Sequence, residues 1–303
     1  MLNDLILRQT LFLLGILFGS ILILTICLDL KKRKEGKVKG LGELWLRYIT
    51  FLFIAPVFLT FAYLGRPLFN FLVIVMAALY LKEYFNLTKL WQHAIYRWEG
   101  RIFALLVLLG TLAQNKFLFF RIPILVIMCV LATPVFLRET RDSVRQTAIT
   151  IVGILYFGWM FSYIIFLREQ FGFGGIVFVC FLITIDDLAS FWVGKFVGKR
   201  KLIPEISPNK TIEGSLGGVF FTVLFALLMK YALPGYSYLK CAFLGLIISV
   251  MGQMGDLVIS VIKRDMQAKD SGKALPGHGG MLDRFDSWIF TLPIIYYILF
   301  LLK

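Results

Sequence analysis

Charge is scarce in this chain. Only 17% of its 303 residues are Asp, Glu, Lys or Arg, against 59% that are hydrophobic. That balance excludes the water-facing surface of the two or three soluble domains that the length alone would suggest. Acid is scarcer than base, 18 residues against 32, which leaves a formal net charge of +14. No basic stripe with interleaved aromatics lies outside the apolar segments, so the excess is not the footprint of nucleic-acid binding. The four cysteines, Cys27, Cys129, Cys180 and Cys241, sit inside apolar runs with no Cys-x-x-Cys spacing, which excludes a disulfide frame or a zinc site. A Gly-x4-Gly-Lys-Ser/Thr spacing is missing, and with it the P-loop. No repeat of fixed period occurs.

What the chain has in abundance is apolar sequence, with a mean hydropathy of +0.83. The runs recur along its whole length, so the first, Leu11 to Leu28, is a retained span and not a secretory signal. Windows near 11–28, 48–65, 68–81, 102–113, 118–137, 148–167, 172–186, 216–233, 241–259 and 288–302 approach the length of about 20 residues that a bilayer core requires. The 102–113 window is short and 216–233 holds Lys230, so nine spans with a re-entrant piece is the alternative to ten. The expected fold is an all-α, polytopic integral membrane protein of nine to ten transmembrane helices. Residues 1–170 form scaffold helices and 171–303 a catalytic region with two polar loops.

The basic residues test the count, because they concentrate in cytoplasmic loops. Alternate loops, near 31–47, 82–101, 138–145, 195–210 and 263–284, hold 24 of the 32. The complementary set is Arg8, Arg66, Lys116, Arg121, Arg168, Lys230, Lys240 and Lys303. Both termini are expected to face away from the cytoplasm and the two long C-terminal loops to face into it. In the N-terminal half no site is evident; Glu83, near a span end, reads most simply as a snorkelling interfacial residue, with an inward orientation the alternative.

Polar character changes after Ile185. Asp186-Asp187 closes an apolar run, where paired carboxylates are costly unless hydrated, paired or bound to a cation; a solvated helix end is the competing reading. Ser207-Pro208-Asn209-Lys210-Thr211 leads towards a helix, and a Lys beside a hydroxyl at such a junction suits a phosphate. A basic loop that only sets topology fits equally. Asp256 lies inside an apolar run, where a carboxylate is by default a functional residue, and shares a helix face with Ser260 and Lys263 or Arg264. Asp283 and Asp286 share a face if Leu282 opens the last helix. Carboxylates so spaced suit Mg²⁺, which leaves coordination positions open to substrate phosphates, and nearby Lys and Arg suit the remaining phosphate charge.

Ser260-Val261-Ile262-Lys263-Arg264, Lys269-Asp270-Ser271-Gly272 and Leu275-Pro276-Gly277-His278-Gly279-Gly280-Met281-Leu282-Asp283-Arg284-Phe285-Asp286 together resemble the signature of the phosphatidate cytidylyltransferases, or CDP-diacylglycerol synthases. No mismatch falls in the 27 residues from Ser260 to Asp286. The resemblance extends upstream through Ser207-Pro208-x-Lys210-Thr211-x-Glu213-Gly214 and the Asp187 segment, covering roughly residues 180 to 290. It departs from the family pattern at Leu188, in place of a hydroxyl residue, at Ser190-Phe191, in place of Ala-Tyr, and at Asn209, in place of the first Lys of Ser-Pro-Lys-Lys-Thr. These departures leave room for a paralogue with an altered lipid substrate.

The resemblance implies transfer of CMP from CTP to phosphatidic acid, giving CDP-diacylglycerol and pyrophosphate. It implies that Asp256, Asp283 and Asp286 hold Mg²⁺, with room for a second cation such as K⁺, and that Lys263 and Arg264 join them in catalysis. His278 is counted with that set, although a structural or hydrogen-bonding part in its Gly-rich turn suits it better than proton transfer. Asp187, Ser207, Lys210, Thr211, Lys269, Asp270, Gly279, Gly280 and Arg284 are implied in substrate binding. The expected setting is a multi-pass protein of the cell inner membrane with its active site facing the cytoplasm, compatible with a homodimer. The readings that compete are a CTP-dependent polyprenol-type lipid kinase, which would pass on the γ-phosphoryl, and a non-enzymatic transporter, against which no inverted repeat is found.

Overall fold

The computed structural model describes residues 2–34, 43–90, 93–113, 116–272 and 280–303. In lipid every backbone N–H and C=O must be satisfied within the segment, so long apolar runs fold as helices. They are α1 (Leu2–Lys34), α2 (Glu43–Leu64), α3 (Arg66–Leu87), α4 (Ala94–Leu112), α5 (Lys116–Leu137), α6 (Ser143–Gly153), α7 (Phe161–Phe196), α8 (Ile212–Leu228), α9 (Tyr238–Asp265) and α10 (Leu282–Leu302). A π-helical segment, Ile154–Met160, joins α6 to α7 without a break, and a 3₁₀ turn, Met229–Ala232, ends α8. The last helix does open at Leu282.

Seven of these segments are long and apolar enough to cross a membrane, fewer than the nine to ten expected. The shortfall has three physical sources. Ser143–Phe196 counts once although it holds 54 residues, about 80 Å of straight helix at 1.5 Å per residue against a hydrocarbon core of about 30 Å. It folds at Gly172, where φ +67° and ψ −164° are non-helical, and so supplies the separate 148–167 and 172–186 passages. The apolar part of α2, Tyr48–Leu64, is a little short. In α4, Arg97, Glu99 and Arg101 lower the hydropathy of the first half. The 216–233 window is one of the seven, Ile212–Ala232: α8 and its 3₁₀ turn run on through Lys230, which reaches the Pro234 carbonyl at 3.2 Å.

Contacts between helix ends show that α4 nevertheless runs the length of the bundle. At one end Gln146 meets His93, Met281 donates to Glu83 and Arg264 donates to the Ile206 carbonyl, so four of the five base-rich loops share that end. At the other, Arg66 pairs with Glu169 at 2.9 Å and donates to the carbonyl of Leu112, the last residue of α4. Arg168 donates to Ala62 there, and Lys240 to Leu302. Among the described residues ten helical passages thus run between the two ends, and the basic residues in these contacts divide between the ends as the loop alternation predicts.

One element departs from the all-helical expectation. The polar loop between α7 and α8 is an antiparallel hairpin of β1 (Lys201–Ile203) and β2 (Ser207–Thr211), with Lys201 opposite Thr211. The Glu213 carboxylate ties its start down by accepting from the backbone N–H groups of Lys199 and Arg200. Strand β2 feeds directly into α8, whose N-cap, Thr211, accepts from the Gly214 N–H at 3.1 Å. Lys210 is therefore delivered to a helix N-terminus, as its sequence context suggested.

Aromatic packing fixes α10 against the N-terminal half. Trp288 meets Phe58 of α2 edge-on at 5.2 Å between ring centroids, and Phe285 meets Tyr80 of α3 at 5.8 Å. Such pairs add roughly 0.5–1.5 kcal/mol each beyond the area they bury. They bracket Asp286.

Candidate active site

The site forms where α7, α8, α9 and α10 converge on the hairpin. Gly255 permits the closest approach: a Cβ there would stand 2.7 Å from the Asp286 carbonyl oxygen. This contact draws α9 onto α10 one residue from Asp256 and brings the Asp256 and Asp286 carboxylates within electrostatic reach of each other and of Asp187. Lys210 supplies the opposing charge, with its Nζ 2.7 Å from Asp256 Oδ2 and 3.4 Å from the Gln253 carbonyl. Ser287 donates to Asp187 Oδ1 at 3.0 Å, which joins α10 to α7. Ser260 reaches back to Asp256 Oδ1 at 3.4 Å, placing them on one helix face.

A second carboxylate layer lies beneath the first. Asp186 is 1% exposed. Its Oδ1 accepts from Ser249 and from Gln253 Nε2, the latter at 3.1 Å. Gln253 also hydrogen-bonds the Ser215 side chain, so one network locks α7, α8 and α9 together. Among the described residues no hydrogen bond of ordinary length reaches the buried Asp186 Oδ2. A solvated helix end is thus ruled out for Asp186; both it and the exposed Asp187 border the site cavity.

Asp283 and Asp286 have different surroundings although one turn separates them. Asp283 Oδ1 pairs with Lys263 Nζ at 2.8 Å, with both side chains nearly enclosed. Its Oδ2 accepts from the Ser271 and Gly280 N–H groups, at 2.8 and 2.9 Å, and from the Ser271 hydroxyl. Asp283 therefore anchors Ser271 and Gly280 of the α9–α10 connection, while Asp286 faces Asp256. Among the described residues no three His, Cys, Asp or Glu side chains stand in the arrangement of a preformed metal site.

A cavity of about 670 Å³ connects these groups. Asp187, Ser207, Lys210, Thr211, Asp256, Asp283, Arg284 and Asp286 all border it, so eight of the residues marked by sequence are brought together. Lys263 stands behind Asp283 and not at the cavity. Arg264 Nε is spent on the Ile206 carbonyl at 3.2 Å, while Lys269 and Asp270 are exposed on the connecting turn. Gly280 binds Asp283 through its N–H. His278 and Gly279 lie outside the described residues. The cavity also reaches into the half of the chain where no site was expected, along Leu14, Phe51, Ile54 and Phe58 of α1 and α2.

Glu83 is the clearest correction. It is buried, and it accepts from the N–H groups of Met281 and Leu282, each at 2.8 Å, and from Ser271 Oγ at 3.3 Å. Its position near a span end suggested snorkelling, but the α10 N-terminus offers unsatisfied N–H donors that outcompete water for its charge. Nothing local in Lys82-Glu83-Tyr84 signals a partner about two hundred residues away.

Fold and site together define a polytopic membrane protein whose acidic, lysine-bearing cavity suits phosphate chemistry at a bilayer. The chain belongs to the cytidylyltransferase family, whose model matches residues 45–302. It is 36% identical over 267 residues to the phosphatidate cytidylyltransferase of Bacillus subtilis (strain 168), a match covering 84% of this chain and 96% of that protein. It is 32% identical over 254 residues to the phosphatidate cytidylyltransferase of a Staphylococcus epidermidis strain, covering 82% and 96%. The uncharacterized protein YnbB of Escherichia coli (strain K12) is similar over a shorter stretch, 46% identical over 127 residues, 41% of this chain and 43% of that protein.

Proposed function

We propose that the chain is a CTP:phosphatidate cytidylyltransferase, producing CDP-diacylglycerol and pyrophosphate at the cytoplasmic face of the inner membrane. The observation that carries the reading is the continuity of one cavity. It runs from Asp187, Lys210, Asp256 and Asp286 to the apolar side chains of Phe51, Phe58, Val177 and Phe181, so an anionic headgroup and its acyl chains fit a single site. Family membership and the relatives named phosphatidate cytidylyltransferase support the same reading.

In this reaction an oxygen of the lipid phosphate forms a bond to the α-phosphorus of CTP while the bond to the β-phosphate oxygen breaks. The attacking oxygen is already anionic at neutral pH and the pyrophosphate leaves with the electron pair, so no proton must be removed from the nucleophile. What remains for the protein is alignment and stabilisation of charge. Lys210 is placed to exchange its Asp256 partner for a phosphate oxygen, and the N-terminus of α8 adds its dipole beside it. Arg284 borders the same cavity and offers a planar fork of donors for a second phosphate.

The donor set also fits a divalent cation. Asp187, Asp256 and Asp286 converge, with Lys210 paired to Asp256 and Lys263 within electrostatic reach of Asp256 and Asp286, and an all-oxygen set suits Mg²⁺. Asp256 and Asp286 would hold the ion, with Asp187 beside them; Asp283 would join them only on giving up contacts it makes with Lys263, Ser271 and Gly280. A bound Mg²⁺ supplies Lewis-acid neutralisation of the phosphates. The like charges at this point leave room for a second, monovalent cation such as K⁺.

The test is transfer of label by purified protein given Mg²⁺ and phosphatidic acid. Label from α-³²P CTP is expected in the lipid, with release of pyrophosphate. Label arriving only from the γ position would instead make the chain a lipid kinase.

A further inference from the structure

We propose that Glu83, which lies outside the signature and in the other half of the chain, is a positioning residue for the transfer reaction. It sets the register in which α10 presents Asp283 and Asp286. The inference rests on the cytidylyltransferase reading for its rate measurements, and on geometry alone for its second readout.

The carboxylate occupies the place of an N-terminal cap, but it comes from α3 and not from the local chain. Met281, at the start of α10, has helical backbone angles and no capping side chain of its own. The first N–H groups of a helix have no intrahelical acceptor, and here two of them, those of Met281 and Leu282, are taken up by the two oxygens of Glu83, one by each. The next residue is Asp283. The loop in front of α10 is held by the same group, because the Ser271 hydroxyl lies 3.3 Å from Glu83 Oε2 and 2.9 Å from Asp283 Oδ2. Gly280 completes the clamp: a Cβ there would crowd Ser271 Oγ and stand 2.5 Å from Glu83 Oε2 and 2.9 Å from the Gly272 backbone nitrogen, so a side chain at this position would force these groups to shift. One turn earlier on α3, the Tyr80 ring packs on Phe285, between the two catalytic aspartates. Helix α3 therefore grips α10 at its first residues and again one turn on.

The chemistry requires a carboxylate. Two backbone donors diverge onto two oxygens, and a charge at a helix N-terminus is favoured by the dipole. A glutamine supplies one acceptor, and its amide group meets the other N–H donor to donor. The penalty falls on the position of α10, and displacement of reacting groups by about 1 Å can cost about 100-fold in rate. Glu83 itself does not border the cavity.

The test compares Glu83→Gln, Glu83→Asp and wild type, purified in detergent, by steady-state kinetics and by amide hydrogen exchange over residues 280–286. The expected result for Glu83→Gln is a fall in kcat of tenfold or more, with KM for CTP changed less than threefold and faster exchange at Met281 and Leu282. Glu83→Asp, which keeps the charge on a shorter stem, is expected to recover part of kcat. Unchanged kcat in Glu83→Gln would overturn the proposal, as would a loss of kcat matched by an equal rise in KM or by an equal loss of folded protein on size exclusion. Were the wild type to fail to label lipid, the functional reading would fall separately. Exchange at Met281 and Leu282 would still decide whether Glu83 holds α10.

Discussion

Lys210 Nζ lies 2.7 Å from Asp256 Oδ2, joining the strand ahead of α8 to the membrane-embedded stretch of α9. The pair is partly enclosed, with side-chain exposures of 22% and 29%, and it stands at the edge of the cavity. On the proposed function, a lysine so held would be already positioned to meet a phosphate, and the aspartate would be kept from repelling the incoming nucleotide. Replacing Lys210 with Met keeps the stem and removes the charge. We expect kcat to fall about 100-fold, the scale for loss of one charge-stabilising donor. Steady-state assays with phosphatidic acid in mixed micelles check this; a change in KM alone would mean that Lys210 contributes only to ground-state binding.

Gly255 yields a steric prediction. A Cβ at this position would lie 2.7 Å from the Asp286 backbone oxygen and 3.1 Å from the Ser287 Cα, and backbone cannot rotate out of the way as a side chain can. Gly255→Ala should push α10 off α9, separate Asp256 from Asp286 and lower turnover by tenfold or more. Alanine is the better helix former by roughly 1 kcal/mol, so propensity alone would stabilise the variant. Activity equal to wild type would show that the two helices have slack at this crossing.

Much of this arrangement was legible in the sequence. The Lys210-Thr211 junction, the start of α10 at Leu282 and the shared face of Asp256 and Ser260 follow from local pattern, and all appear in the structure. What the sequence does not disclose is pairing at a distance. Asp283 and Asp286 look equivalent by spacing, yet Asp283 turns to Lys263 and Ser271 because the polar loop brings it three hydrogen-bond donors. Glu83 and Asp186 find their partners only once α3 meets α10 and α7 meets α9. The number of crossings was blurred by α4, whose charged first half hides a helix that traverses the bundle.

The anchoring of Asp283 separates its structural from its catalytic part. Removing one member of a buried ion pair leaves the other uncompensated, at a cost of about 3–5 kcal/mol, whereas removing both is close to neutral. Lys263→Met and Asp283→Asn are each expected to lower the midpoint of thermal unfolding, and the double variant to be less destabilised than the sum of the two. Dye-based unfolding in detergent gives that comparison. All three proteins should lack activity, since Asp283 also borders the cavity. Strict additivity of the two shifts would mean that the 2.8 Å pair contributes nothing to stability.

The last prediction concerns the side of the membrane that the cavity faces. Base-rich loops gather at the cavity end: the hairpin carries Lys199, Arg200 and Lys201, and the end of α9 carries Lys263 and Arg264. Arg66, Arg168 and Lys240 mark the opposite end. Lysine and arginine near span ends are retained in the cytoplasm, and CTP is supplied there. A single cysteine placed at Lys201 should therefore react with a membrane-impermeant maleimide only after the cells are broken, and one placed at Lys240 should react in intact cells. Cys27 and Cys129 are exposed, so both are first replaced by serine and the background checked for activity. Labelling of position 201 from outside would invert the topology and separate the site from its nucleotide, whatever the family resemblance.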